Sequence, residues 1–139
     1  MVRVGTSGYS YADWVGPVYP TGTNKRDFLS IYAQKYRTVE VNYTYYRPPS
    51  AQTLAQMMAK TPDEFIFTLK ATKEMTHDRS RSPDIYRQYS DTLAPLIDAS
   101  RFGCVLLQFP NSFKLHSDNV GHLKFIREQW PELPLVVEF

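Results

Sequence analysis

Apolar residues gather in five short runs, at 2–7, 39–42, 65–70, 104–109 and 135–139, and each run carries polar residues toward its C-terminal end. Between the runs, apolar positions recur at helical spacing. The sets are Phe28, Tyr32 and Tyr36; Leu54, Met57 and Met58; Tyr86, Tyr89, Leu93, Leu96 and Ile97; and Val120, Leu123, Ile126 and Trp130. Short apolar runs read as strands and the three-to-four-residue spacing as helices, so the predicted order is βαβαβαβαβ. That alternation builds an α/β fold with a parallel sheet and helices outside it.

The punctuation agrees with this order. Asn24 and Ser50 stand where the first two helices need N-caps. Ser82-Pro83-Asp84 is a strong start for the third helix, and Pro95 should kink or end it. The fourth helix is expected from Ser117 or Asp118, with Pro131 and Pro134 bracketing the turn into the last strand. The second strand is expected over 38–44, with Val39, Val41 and Tyr43 on one side and Glu40, Asn42 and Thr44 on the other. The loop at 8–23 holds Tyr9, Tyr11, Trp14 and Tyr19, and a loop of that length inside a compact domain is usually functional.

Length and composition narrow the class. The 139 residues suit one domain, and 42% hydrophobic residues argue against disorder. A net charge of +2 is too small to indicate nucleic acid by itself. Cys104 is the single cysteine, so no internal disulfide forms. No apolar run approaches the roughly 20 residues that span a bilayer. A cytoplasmic protein without membrane association is the expectation.

Charges on strands of a buried parallel sheet need a reason, because an unpaired buried charge costs several kcal/mol. Glu40, Asn42, Thr68, Lys70, Gln108 and Glu138 share one phase of the strand alternation and can face one interior. They are either a fixed ion-pair network or the wall of a site. In the second reading Glu40, Lys70 and Glu138 are the catalytic candidates, since an ammonium beside two carboxylates pulls their proton affinities apart. Oxygen ligands of this kind also admit a divalent metal, with Asn42 or His77 completing its shell. Against metal stands the scarcity of histidine: His77, His116 and His122 form no paired ligand motif.

Tyr9, Trp14, Tyr46, Arg47, Asn42, His77 and Gln108 are candidates for substrate binding around the same strand ends. Aromatic faces suit a sugar or a base. Gly5-Thr6-Ser7-Gly8 lacks the ending of a phosphate loop and reads as a tight strand exit. The stretch from Thr76 to Arg81 is a basic, hydroxyl-rich connection that either meets phosphates or is simply solvated.

With these residues placed, the chain resembles the YecE-like family (domain of unknown function 72). The likeness rests on ordered segments: Gly5-Thr6-Ser7-Gly8-Tyr9-Ser10-Tyr11 with Trp14 and Tyr19-Pro20; Val39-Glu40-Val41-Asn42 with Thr44, Tyr46-Arg47 and Pro49-Ser50; Phe67 with Lys70-Ala71 and Thr76-His77; Leu107-Gln108-Phe109-Pro110 with Ser112-Phe113; and Val137-Glu138-Phe139. The resemblance implies a TIM-type (βα)8 barrel without an established activity. A complete barrel of that type takes at least about 200 residues. Residues 1–139 therefore read as the N-terminal half of such a domain, truncated after four βα units and a fifth parallel strand.

Three functional readings follow. One is a barrel enzyme of the hydrolase, lyase or isomerase kind, acting on a polar small molecule or nucleotide that bears hydroxyls or phosphate. Another is a nucleic-acid-binding or repair-type barrel using Arg47, Lys73, Arg79 and Arg81. The third is an inactive half barrel whose open edges drive homo-oligomer formation.

Overall fold

A computed structural model describes residues 2–139. Four parallel strands form one sheet in the order β1 (Thr38–Val41), β2 (Ile66–Lys70), β3 (Phe102–Gln108) and β4 (Leu135–Glu138). Strand order follows chain order, with helical segments between successive strands, as in a segment of a (βα) barrel. The helices are α1 (Phe28–Lys35), α2 (Ala51–Met58), α3 (Lys73–Thr76), α4 (Pro83–Thr92), α5 (Ala94–Asp98) and α6 (Ser117–Gln129). The molecule is thus an α/β partial barrel.

The pleat sorts the strand residues onto two faces. Val39, Val41, Phe67, Leu69, Val105 and Leu107 are buried and join one core with Phe28, Tyr32, Leu54, Tyr86, Tyr89 and Ile126 from the helices. Glu40, Thr68, Lys70 and Gln108 are half-buried on the opposite face. The last strand is covered least, with Val136, Val137 and Phe139 exposed.

One irregularity in the sheet is built around a glycine. Phe67 pairs with Phe102, but Leu69 pairs with Val105, so β3 carries one extra residue between the two pairs. Gly103 sits in that bulge, and a Cβ there would stand 2.8 Å from Thr68 Oγ1. A larger residue would have to displace the Thr68 and Ile66 side chains of β2.

The run at 2–7 departs from expectation. It makes a single parallel bridge, Ser7 to Glu40, in place of a full strand. Among the described residues it has a neighbour on one side only, and Val2 and Val4 are exposed, so little burial holds its first half. Tyr32 fastens what remains. Its hydroxyl donates to Thr38 O at 3.0 Å and accepts from Thr6 N at 2.8 Å, tying the segment to the first residue of β1.

Helix boundaries follow local chemistry. The Asn24 side chain accepts from Arg26 N, capping a 3-10 turn at Lys25–Asp27 that leads into α1. The Ser50 side chain accepts from Thr53 N and caps α2. The third predicted helix is divided at Leu93, where Pro95 forces the break between α4 and α5. On α6 the buried residues are Asn119, His122 and Ile126, whereas Val120 and Leu123 are half-buried. Ile126 and Trp130 are buried as expected, and Asn119 and His122 turn inward beside them, His122 Nε2 donating to Met75 O at 2.7 Å.

At the pole where the strands begin, Arg101 is 5% exposed and has no carboxylate within ion-pair reach among the described residues. It donates to Phe65 O at 3.0 Å, to Met58 O at 3.1 Å and to the Thr61 hydroxyl. Its guanidinium also lies 5.4 Å from the Phe67 ring centroid. One side chain thereby satisfies the C-terminal end of α2 and the entry to β2. Nothing in the sequence pattern marks it.

Two predictions follow from these buried groups. Replacing Arg101 with Met removes the side-chain donor to Phe65 O, while Met58 O and the Thr61 hydroxyl keep each other as partners, and should cost about 2 kcal/mol in urea unfolding. A loss within experimental error would show that water satisfies this carbonyl instead. His122 is held below its ordinary pKa by burial first, opposed by its bond to Met75, with the Arg81 and Arg79 charges adding to the depression. The unfolded chain therefore takes up this proton more readily than the folded one. Stability from the neutral ring is complete above about pH 6.5 and declines as pH falls below it. His122→Gln, which keeps a donor for Met75 O, should remove that part of the pH dependence.

Candidate functional site

The C-terminal ends of the strands carry the polar groups, and short turns fix them. After Val41 the chain leaves the sheet at Asn42, whose backbone is α-like, and turns through a 3-10 segment at Tyr43–Tyr45. Thr44 is therefore not on the face with Glu40 as the strand extrapolation held. It is fully buried, with its hydroxyl 2.8 Å from Val41 O and 2.5 Å from Lys70 O. Tyr89 of α4 donates to the same Lys70 carbonyl at 2.9 Å. Two hydroxyls thus clamp the backbone from which the Lys70 side chain projects. Sequence reasoning missed this support because neither residue stands out in the pattern.

Lys70, Gln108 and Glu138 form a continuous chain of hydrogen bonds across β2, β3 and β4. Lys70 Nζ donates to Gln108 Oε1, and Gln108 Nε2 donates to Glu138 Oε1 at 2.6 Å. The ammonium and the carboxylate each fix one end of the amide, so its orientation is unambiguous. Opposite charges are held apart by a neutral group instead of meeting in an ion pair. The ammonium also lies 5.3 Å from the Tyr45 ring centroid, a cation–π distance. Tyr45 in turn meets His77 edge-on at 5.2 Å, and His77 Nδ1 is 3.0 Å from the Thr76 hydroxyl.

Glu40 belongs to a second group. One of its oxygens accepts from Ser7 Oγ at 2.7 Å. It lines a cavity of about 240 Å³ together with Gly8, Tyr9, Tyr11, Asn42 and Tyr43. Tyr11 donates to Ser7 O and is 3.5 Å from Asn42 Nδ2. Ser7 is a contributor that the sequence reading left inside a strand exit. The exit itself is tight, with Gly8 at φ +77° and its N–H donating to Glu40 O at 2.9 Å.

The remaining candidates are dispersed. Trp14 packs against Tyr11 at 4.9 Å and Tyr19 at 6.1 Å, behind the cavity wall. Tyr19 is fully buried and stacked on Phe28 at 4.2 Å; burial first, then the neighbouring Tyr32, Tyr9 and Tyr36, push its phenol up to about 12. Tyr46 is exposed and touches Tyr45 edge-on. Arg47 is exposed and lines a separate recess with Pro48, Pro49 and Ser50. In the basic connection, Arg79 donates to Asn119 Oδ1 at 2.8 Å and Arg81 to Asp118 O at 3.2 Å, so both dock on α6. Cys104 lies 3.8 Å from the Thr68 hydroxyl on the open face; burial raises its thiol pKa, the Thr68 contact opposes this and the Glu40 charge adds to it. Among the described residues no three His, Cys, Asp or Glu side chains gather as metal ligands. No helix among them is long and apolar enough to cross a membrane.

Comparison with known proteins places this geometry in a family. A family model described as "Protein of unknown function DUF72" matches residues 3–139. The chain belongs to the DUF72 family. The UPF0759 protein YunF of Bacillus subtilis (strain 168) is 27% identical over the whole chain, which covers 50% of that protein. A crystal structure of a DUF72 family protein from Thermotoga maritima MSB8 superimposes with a TM-score of 0.88 at 39% identity, over 100% of this chain and 55% of that one. A DUF72 family protein from Enterococcus faecalis V583 shares the fold, with a TM-score of 0.84 at 24% identity, over 99% of this chain and 50% of that one. The chain thus spans about half the length of the DUF72 relatives it matches.

In this DUF72 chain Gly8 offers a sharp test of the cavity. A Cβ at that position would stand 2.5 Å from the Tyr11 hydroxyl and 3.1 Å from Asn42 Nδ2, on a backbone that favours glycine. Gly8→Ala should cost at least about 1–2 kcal/mol in urea unfolding. An unchanged midpoint would mean that the Tyr11–Asn42 wall is not fixed as described.

Proposed function

We propose that residues 1–139 form the N-terminal half of a (βα)8 barrel enzyme whose chemistry lies at the C-terminal ends of β1 to β4. The reaction is acid–base, of the hydrolase, lyase or isomerase kind, on a polar substrate bearing hydroxyls or phosphate. The observation that carries this reading is the Lys70–Gln108–Glu138 chain. A structural ion pair needs no spacer. An amide between the two charges keeps a cation and an anion side by side and unneutralised, as proton transfer requires.

The roles divide by position. Glu40 accepts a proton from the substrate, oriented by Ser7 at one oxygen. Lys70 stabilises the negative charge that develops, held by Tyr45 below it and Gln108 beside it. Glu138 is the second carboxylate, and Gln108 orients both partners. Tyr9, Tyr11 and Asn42 line the cavity beside Glu40 and suit a ring with hydroxyl substituents. His77 flanks Lys70 through Tyr45.

The test uses a protein of the relatives' length screened against chromogenic phosphate esters and glycosides. For any substrate turned over, Glu40→Gln and Lys70→Met should each lower kcat/KM by at least about a hundredfold. Their melting temperatures should stay near that of the parent. Undiminished turnover in both variants would sink the assignment.

A further inference from the structure

On the flank of the molecule, away from the Lys70–Gln108–Glu138 chain, lies a second recess, between the 3-10 turn at Lys25–Asp27 and helix α2. It has a volume of about 370 Å³, and Lys25, Arg26 and Lys60 line it. A neighbouring recess of about 460 Å³ adds Arg47, and the two share Tyr43 and Thr53 in their walls. Four cationic side chains therefore line one trough, and no residue lining either recess is acidic. The formal charge of the whole chain is only +2.

These charges have little local compensation. Arg26 makes one contact with Asp27, at 3.6 Å, between largely exposed side chains, and such pairs contribute little. Lys60 Nζ donates to Arg26 O at 3.0 Å, which fixes the end of the ammonium at the recess while leaving two N–H groups free of protein partners. Among the described residues Lys25 and Arg47 have no ion-pair partner. No acidic side chain lines either recess, so a bound anion would meet an uncompensated positive field.

The floor is of a different character. Leu29 and Met57, 2% and 6% exposed, lie beneath the cations, with the Tyr9 ring beside them. Tyr43 lines both recesses, and its hydroxyl is turned away from solvent, buried without a hydrogen-bond partner. A cationic rim and an apolar floor are complementary to a ligand with an anionic group and a flat, partly apolar body. The volume lies in the range of small-molecule sites.

We infer that the trough between the Lys25–Asp27 turn and α2 binds a phosphate-bearing small molecule with a planar ring, its phosphate among Lys25, Arg26 and Lys60. Arg47 reaches the far end, and Tyr43 walls the junction. The site is independent of the reaction proposed for the strand ends, though Tyr9 and Tyr43 also line the cavity beside Glu40.

Thermal unfolding of the 139-residue chain tests this, with the phosphate ligands and the oligonucleotide added at fixed ionic strength and chloride in a separate titration. The probes are adenosine monophosphate, inorganic pyrophosphate, sodium chloride and a single-stranded oligonucleotide. Adenosine monophosphate should give a saturable rise in Tm on the order of 5 °C, and pyrophosphate a smaller one. Lys25→Glu and Lys60→Gln should each weaken the response by about tenfold in concentration. Glu40→Gln should leave it intact, so failure of the strand-end assignment and failure of this one are separable. An equal response to chloride would reduce the trough to non-specific screening and overturn the inference. Binding of the oligonucleotide with steep salt dependence, without a response to adenosine monophosphate, would overturn it in favour of a nucleic-acid surface.

Discussion

Burial of Val39, Val41, Phe67, Leu69, Val105 and Leu107 beneath the helices decides where the polar groups of the sheet go. A strand has two faces and a period of two. Once the apolar set is under the helices, Glu40, Lys70 and Gln108 can only project from the other side. Each apolar side chain removed from water contributes about 1.5–3 kcal/mol. A register slip would exchange that gain for buried charge, which fixes the register as firmly as any hydrogen bond in the ladder. The position of the candidate site is thus a by-product of core formation, and its chemistry is tuned by the groups added around it.

Those additions are largely hydroxyls acting on backbone carbonyls at element ends. Thr44 and Tyr89 converge on Lys70 O, and Tyr32 on Thr38 O. Carbonyls at strand termini lack ladder partners on one side, and buried ones must be satisfied. Fulfilling that requirement with side chains from α1, α4 and the turn after β1 couples the helices to the strand ends. The pole where the strands begin, held by Tyr32 at Thr38, is also served by Arg101, whose one guanidinium donates to two carbonyls and a hydroxyl.

Most of the architecture was legible in the sequence because it depends on period. The alternation in 39–42 and 65–70, the Ser50 cap and the break at Pro95 are local signals, and the structure follows them. The shared phase of Glu40, Lys70, Gln108 and Glu138 was readable for the same reason. Features that depend on distant partners were not readable. The run at 2–7 looks like any strand, yet it makes a single bridge because a strand needs burial as well as pattern. Thr44 continues the alternation on paper and turns inward in space, since two carbonyls compete for its hydroxyl. His122 reads as a neutral helix residue and turns inward to bond a carbonyl 47 positions away.

The bulge at Gly103 has a consequence for how this sequence can diverge. Before it, the faces of β3 are set by Phe102 opposite Phe67; after it, by Val105 opposite Leu69. The extra residue works as a parity switch within a single strand. Removing it would leave two steps between the pairs on both strands, so both pairs could still form and an ordinary ladder would replace the bulge, with Gln108 still on the Lys70 side. Point substitutions on either side are ordinary changes of size or polarity. A one-residue deletion between Val105 and Gln108 would instead turn Gln108 under the helices, so the stretch after the bulge should hold its length while the bulge itself can be lost.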